Sequence, residues 1–386
     1  MSALGTLTET DEARAATLHE DSLVVDTLGV YGPFETGVYT PAMVDRFTSL
    51  VERGAPSLEI VQALHDMAHE LRHQGDAGNF WKIWDEAGVD VVSHTVGAWG
   101  NPPFSFRAAV RELAQMTRDF DVLGDRVIKV LSTADARRAK AEGKRGVILN
   151  FQNSDHLEGD LANLDLFYDF GVRIIQLTYN PWNLAGAGCS ELGDAGLSNW
   201  GIALVRRMNE IGMLVDTGHC GHRTTLDAIE TSDRPIAVTH SVAKAVYPHI
   251  RGKADDVIRA IGETGGYFGV CLVPFFLNDK DNPTLDDWLG HFEHVADLAG
   301  IENVGVASDY GIEYPPGVAD LFNAEILNMG FRPEHGVDWN KTIDGFRTWK
   351  EWPNVTKALV SRGYSDDEIT GILGGNFLRV FEGAVG

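Results

Sequence analysis

The sequence predicts an α/β fold: a (β/α)8, TIM-type barrel with extra helices and long loops at its C-terminal mouth. Three observations predict it. Short runs rich in Val, Ile and Leu alternate with amphipathic stretches, as in a parallel sheet buried on both faces. Glycines stand just ahead of several of those runs, where helices end. Three runs finish in a polar, metal-capable residue, at His219, His240 and Asp309. In such a barrel the C-terminal strand ends converge on one mouth.

The strand candidates are 23–27, 89–95, 146–151, 172–178, 213–217, 235–239, 266–272 and 303–308. Apolar residues at three- and four-residue spacing mark helices over 57–73, 104–120, 160–170, 198–211, 223–230, 254–263 and 285–299. Gly88, Gly171, Gly212 and Gly265 suit the first position after a helix. Strict alternation of the two patterns is what argues for the barrel. The chain reads as one domain over 1–386. Two long excursions, 28–75 and 312–350, are expected to wall the mouth. The tail 354–383 reads as helical, with Ser365 to Glu368 as a start signal.

The chain has 386 residues, 44% of them hydrophobic, enough for one large core. A net charge of −24 repels nucleic acid and anionic membranes, so neither is an expected partner. Three cysteines (Cys189, Cys220, Cys271) without a CxxC spacing suit a reducing compartment. The first residues carry no basic and no long apolar segment, and no run approaches a membrane span. The expectation is a cytoplasmic protein. Homodimerisation is the default expectation for assembly.

Read in order, the strand ends carry Asp26, His94, Gln152, Thr178-Tyr179, His219, His240, Cys271 to Pro274 and Asp309. Two histidines and an aspartate are a donor set for zinc or another divalent ion. Asp309 suits a ligand or a proton-accepting base. Arg251, eleven residues after His240, suits a fork on a substrate carboxylate. Tyr179 and Gln152 are catalytic candidates. Asn153, His94 and Tyr310 are substrate-binding candidates. Asp216 reads as a brace. His222 and His249 read as solvated, and His65, His69 and His73 as an exposed helix face. Tyr31, Phe34, Tyr39, Phe322, Phe331 and Trp339 hint at an apolar or aromatic ligand, although packing is their commoner use.

The stretches GVRIIQLTYNPWN, MNEIGMLVDTGH, RPIAVTHS, HIRGKADD, ETGGYFGVCLVP, VGVASDYG and GGNFLRVFE occur in that order. Together they resemble the membrane (renal) dipeptidase family, zinc metallopeptidases of the amidohydrolase type. The resemblance implies a (β/α)8 barrel with His219 and His240 as metal ligands. It implies that Asp309 binds a metal or handles the proton of the attacking water, and that Arg251 holds a dipeptide carboxylate. Where the family carries His-x-Asp on its first strand, this chain has Leu28 and Val30. The family's bridging glutamate is Gln152, and its substrate-polarising histidine is Tyr179. Leucine and valine offer no lone pairs, so the expectation is at most one ion per chain, or none.

The reading that follows is a metal-dependent hydrolase of a small dipeptide-like or N-acyl amino acid carboxylate. The alternatives are a lyase, decarboxylase, hydratase or isomerase acting on a small acid, and a non-catalytic binding homologue.

Overall fold

The computed structural model describes residues 3–29, 31, 39–73, 80–97, 105–309 and 317–386. Val30, Phe34 and Tyr310 lie outside the described residues. Ten strands are described in chain order: β1 (Val25–Gly29), β2 (Val91–Thr95), β3 (Val127–Lys129), β4 (Arg145–Phe151), β5 (Val172–Gln176), β6 (Leu214–Asp216), β7 (Ala237–Ala243), β8 (Gly252–Lys253), β9 (Tyr267–Cys271) and β10 (Val304–Ala307).

Eight of them form the path β1-β2-β4-β5-β6-β7-β9-β10, with β3 beside β4 and β8 beside β7. All the ladders are parallel. The two ends of the path meet. Asp309 N–H donates to Leu28 O at 2.8 Å, and the Thr27 hydroxyl donates to Val306 O at 3.0 Å. The result is a nearly closed (β/α)8 barrel, as the sequence predicts. The two short strands escaped the sequence because three and two residues carry no period of their own.

The helices fall where the spacing places them. Phe106–Val122, Asn199–Ile211 and Leu285–Ala299 begin at Ser105, Ser198 and Thr284, whose hydroxyls accept backbone N–H groups of the first turn. Gly88, Gly171, Gly212 and Gly265 all take positive φ, from 63° to 102°. Only glycine adopts that region without cost, which is why each helix stops there. Ser365 and Glu368 form a reciprocal capping box, as read from the sequence.

One end of the barrel is plugged. Val25, Val91, Leu214, Ala237 and Tyr267, each the first residue of its strand, pack together with Ile148 and Ile174 against Phe377 and Phe381 of the last helix, Asn376–Val385. That leaves the other end for chemistry. No helix among the described residues is long and apolar enough to cross a membrane.

Candidate metal centre

The turn after β6 carries His219, and β7 carries His240 within its length rather than beyond it. Both rings are fixed from behind. Asp216 accepts Gly218 N–H at 3.0 Å and Thr239 N–H at 2.9 Å on one oxygen, and the Thr239 hydroxyl at 2.7 Å on the other. With its proton committed to Asp216, the Thr239 oxygen is left to accept from His240 Nδ1–H at 2.8 Å. Asn180 Oδ1 accepts from His219 Nδ1–H at 2.6 Å, and its amide nitrogen donates to Met329 O at 2.8 Å. Both imidazoles therefore hold their proton on Nδ1 and carry a lone pair on Nε2.

Both Nε2 atoms are buried and have no hydrogen-bond partner. The two ring centroids lie 4.8 Å apart, 59° from coplanar. A buried polar atom left unpaired costs about 1–3 kcal/mol, so two side by side call for an occupant. Burial pulls both ring pKa values far below the ordinary histidine range, and the Arg251 charge pulls them further. Neutral imidazole is the form that ligates a metal. The donor set thus fits a divalent ion of the zinc type at His219 and His240.

Asp309 follows β10 at a φ of 47°. Burial pushes its carboxyl up to about 7, with Arg251 opposing and the neighbouring Asp26 charge assisting. The Asp309 charge is felt at Tyr179, the ring that stacks on His219. The Tyr179 ring stacks on His219 at 4.2 Å and 21°. Burial raises the Tyr179 hydroxyl, and the Asp309 charge acts in the same direction, so it remains a protonated donor.

Arg251 is 1% exposed. Its guanidinium donates to Gly218 O at 2.6 Å and His240 O at 3.3 Å, pinning the backbones that carry both histidines. Its Nε–H has no partner, so the group retains a donor besides its bracing bonds.

Other expectations fare differently. Gln152 stands beyond the end of β4, its amide donating to the Thr95 hydroxyl at 2.8 Å. Leu28 is buried among apolar side chains and brings no donor atom. Asn153 is bonded within its own turn, accepting from Asp155 N–H and from Asn183 at 2.8 Å. His94 is buried edge-on to Tyr31, centroids 5.6 Å apart. Tyr310 lies outside the described residues. Asp216 braces, as expected, and His222 is exposed beside Asp256.

Two readings of histidine surroundings are corrected. His249 is 4% exposed rather than solvated, bonded to His335 O at 2.9 Å and accepting Arg251 N–H at 3.2 Å. His69 and His73 do not form an exposed face, since a second helix, Phe106–Val122, covers them with Asp119. His69, His73 and Asp119 gather within 4.8 Å, but Arg72 already sits on Asp119 at 2.8 Å. Arg72 takes one Asp119 oxygen, and His73 bonds the other at 2.6 Å.

Three residues around the centre went unnoticed in the sequence: Gln176, Asn180 and Thr239. Gln176 Oε1 accepts His219 N–H at 3.0 Å and its amide donates to Gln152 O at 2.7 Å, tying two strand ends together. Asn180 directly follows Tyr179, and that adjacency to a strand end was the one available signal.

Against this geometry the comparisons are decisive. The sequence profile of the membrane dipeptidase family, peptidase family M19, matches residues 40–329 and 335–385. The chain belongs to that family. It is 27% identical to dipeptidase tcpJ of Claviceps purpurea over 317 residues, covering 80% of this chain and 66% of that protein. It is 30% identical to dipeptidase C965.12 of Schizosaccharomyces pombe over 266 residues, 66% of this chain and 57% of the relative. The matches thus span less than two thirds of those relatives' length. Among solved structures, an amidohydrolase from Pseudomonas aeruginosa is 27% identical, with TM-score 0.74 and coverage of 96% and 98% of the two chains. A metallo peptidase from Rhodobacter sphaeroides, liganded with a phosphinate mimic of L-Ala-D-Ala, shares the fold, with TM-score 0.70 at 18% identity over 94% of this chain and 100% of the other.

Proposed function

We propose that this family member is a metal-dependent hydrolase of a small dipeptide-like or N-acyl amino acid carboxylate, working with a single divalent ion on His219 and His240. One observation carries the reading: two buried imidazoles with ring centroids 4.8 Å apart, each locked with its proton on Nδ1, leave both Nε2 atoms bare. Leu28 and Gln152 support a single ion, because neither supplies an anionic ligand for a second. Such an ion, held by His219 and His240, would polarise a carbonyl and lower the pKa of water enough to give hydroxide at neutral pH.

The chain's own groups divide the remaining work. Asp309, held near neutrality, takes the proton from the attacking water and returns it to the leaving amine. The Tyr179 hydroxyl donates to the developing oxyanion. Arg251 keeps both histidine backbones in place and turns its remaining donors to the substrate carboxylate. Gln152 and His94 line the approach.

Metal analysis with a panel of dipeptides and N-acyl amino acids tests this. The expected result is about one ion per chain and turnover abolished by a chelator. Two ions per chain would end the single-ion reading. Turnover that survives complete metal removal would favour a repurposed lyase, decarboxylase, hydratase or isomerase, the alternative suggested by buried Leu28 in the place of a ligand. Ligand binding without product from any panel member would favour a binding homologue.

A further inference from the structure

We infer that Asn180 is a positioning residue for the metal centre, and that the Met329–Gly330 turn of the long excursion after β10 holds it in register. The inference rests on the reading that His219 takes the ion through Nε2.

The Asn180 side chain is committed at both ends. Its oxygen accepts His219 Nδ1–H at 2.6 Å and its nitrogen donates to Met329 O at 2.8 Å. The second bond decides the first, because a carbonyl accepts only from the NH2 end of the amide, and that leaves Oδ1 towards the ring. The residue is fully buried, and its backbone carbonyl accepts both Ser190 N–H at 3.0 Å and the Ser190 hydroxyl at 2.7 Å. Rotation of the amide is blocked.

The turn presses on this residue from outside the barrel. Gly330 takes φ +84°, and a Cβ there would lie 2.9 Å from Pro181 Cδ and 3.0 Å from Asn180 Cβ. Only a residue without a side chain lets the backbone approach so closely. Arg332 adds a tether, donating to Ser190 O at 2.8 Å. The same stretch reaches the other histidine's surroundings through His249 Nε2 and His335 O, 2.9 Å apart.

The two ligands are thus braced by different means. His240 is fixed within the barrel by Thr239 and Asp216. His219 is fixed by an amide whose far end is bonded to a segment outside the barrel. The excursion is part of the metal site's frame and not only a wall of its mouth. Losing the outer partner of a metal-bound histidine typically weakens metal binding about 10- to 100-fold.

The test measures zinc affinity by competition with a chromophoric chelator, on wild type, Asn180→Ala and Gly330→Ala, each checked by melting. Both variants are expected to weaken zinc binding, Asn180→Ala by about 10- to 100-fold. Gly330→Ala touches no candidate ligand, so its loss reports the turn alone. Retention of wild-type affinity within about twofold in either folded variant overturns the part of the proposal which that residue carries. Nitrogen-15 spectra of the apo imidazoles supply a second readout. His219 is expected to be protonated on Nδ1 alone in wild type and to mix tautomers in Asn180→Ala. Should the wild type take up no zinc, the metal reading fails, and these spectra still decide the positioning claim. Identical His219 spectra in both proteins would overturn it.

Discussion

The barrel mouth has two unlike halves. At β6 and β7, imidazoles 4.8 Å apart are held by hydrogen bonds at Nδ1 and leave Nε2 bare. At β1 and β4, the corresponding places carry buried Leu28 and the neutral amide of Gln152, occupied with Thr95. The first half keeps its polar frame because Asp216, Thr239 and Asn180 are each hydrogen-bonded behind the rings. The second half offers no anionic side chain at these two places, and burying Leu28 is itself favourable. The contrast teaches that the two sides of one mouth can differ in polarity, since each is braced by its own set of residues.

The largest effect is expected at the retained half. His219→Ala or His240→Ala should lower metal affinity by more than about 100-fold, since even an outer partner is worth 10–100-fold. Metal content after dialysis measures it, and full occupancy in either variant would break the assignment of ligands.

The altered half can be tested by reversal. Leu28→His with Val30→Asp and Gln152→Glu should raise uptake from one ion to two, read as metal per chain. A triple variant that folds and still takes one ion would show that ligand loss is not what sets the number.

A third expectation concerns the frame between the halves. Asp26 accepts Ser308 N–H at 2.8 Å, the Ser308 hydroxyl, and the indole N–H groups of Trp349 and Trp352 at 3.0 and 3.2 Å. Burial still pushes its carboxyl up to about 6. Asp26→Ala strands four donors and should cost about 3 kcal/mol or more, measured by urea denaturation. A cost below about 1 kcal/mol would remove Asp26 from the frame.

The smallest effect is in pH. Buried His69 and His156 titrate near 4 and His249 near 3, and His19, His219 and His240 are also lowered, in every case chiefly by burial. Their folded pKa values lie below the unfolded value of about 6.5, so the unfolded chain binds protons first. Their stabilising contribution is present above pH 6.5 and lost as pH falls from there towards 4, at up to about 1.4 kcal/mol per histidine per pH unit. Asp26 and Asp309, raised to about 6 and 7, act oppositely, gaining as pH falls through those values. The histidines outnumber them, so the urea midpoint should fall between pH 7 and 5. A midpoint that rises over that range would show the carboxyls to dominate.

Much of the fold was legible in the chain, because its signals are local. Strand runs, helix spacing and the glycines at 88, 171, 212 and 265 each act within a few residues. The strand-end residues were legible for the same reason: a barrel sends every strand end to one mouth. Their neighbours were not. Asn180 meets Met329 across 149 residues, and Asp26 meets Trp349 across 323, separations at which local pattern carries no information. The same blindness explains His249 and His69, whose burial comes from segments far along the sequence.

By itself, then, the sequence determined the barrel, the order of its strands and the identity of the donor atoms at its mouth, since period and punctuation act over one turn or one strand. Tertiary structure alone decided which nitrogen of each histidine is bare, that burial holds Asp309 near neutrality, and that a distant turn grips Asn180. Those outcomes depend on contacts between segments that the chain brings together only once it has closed.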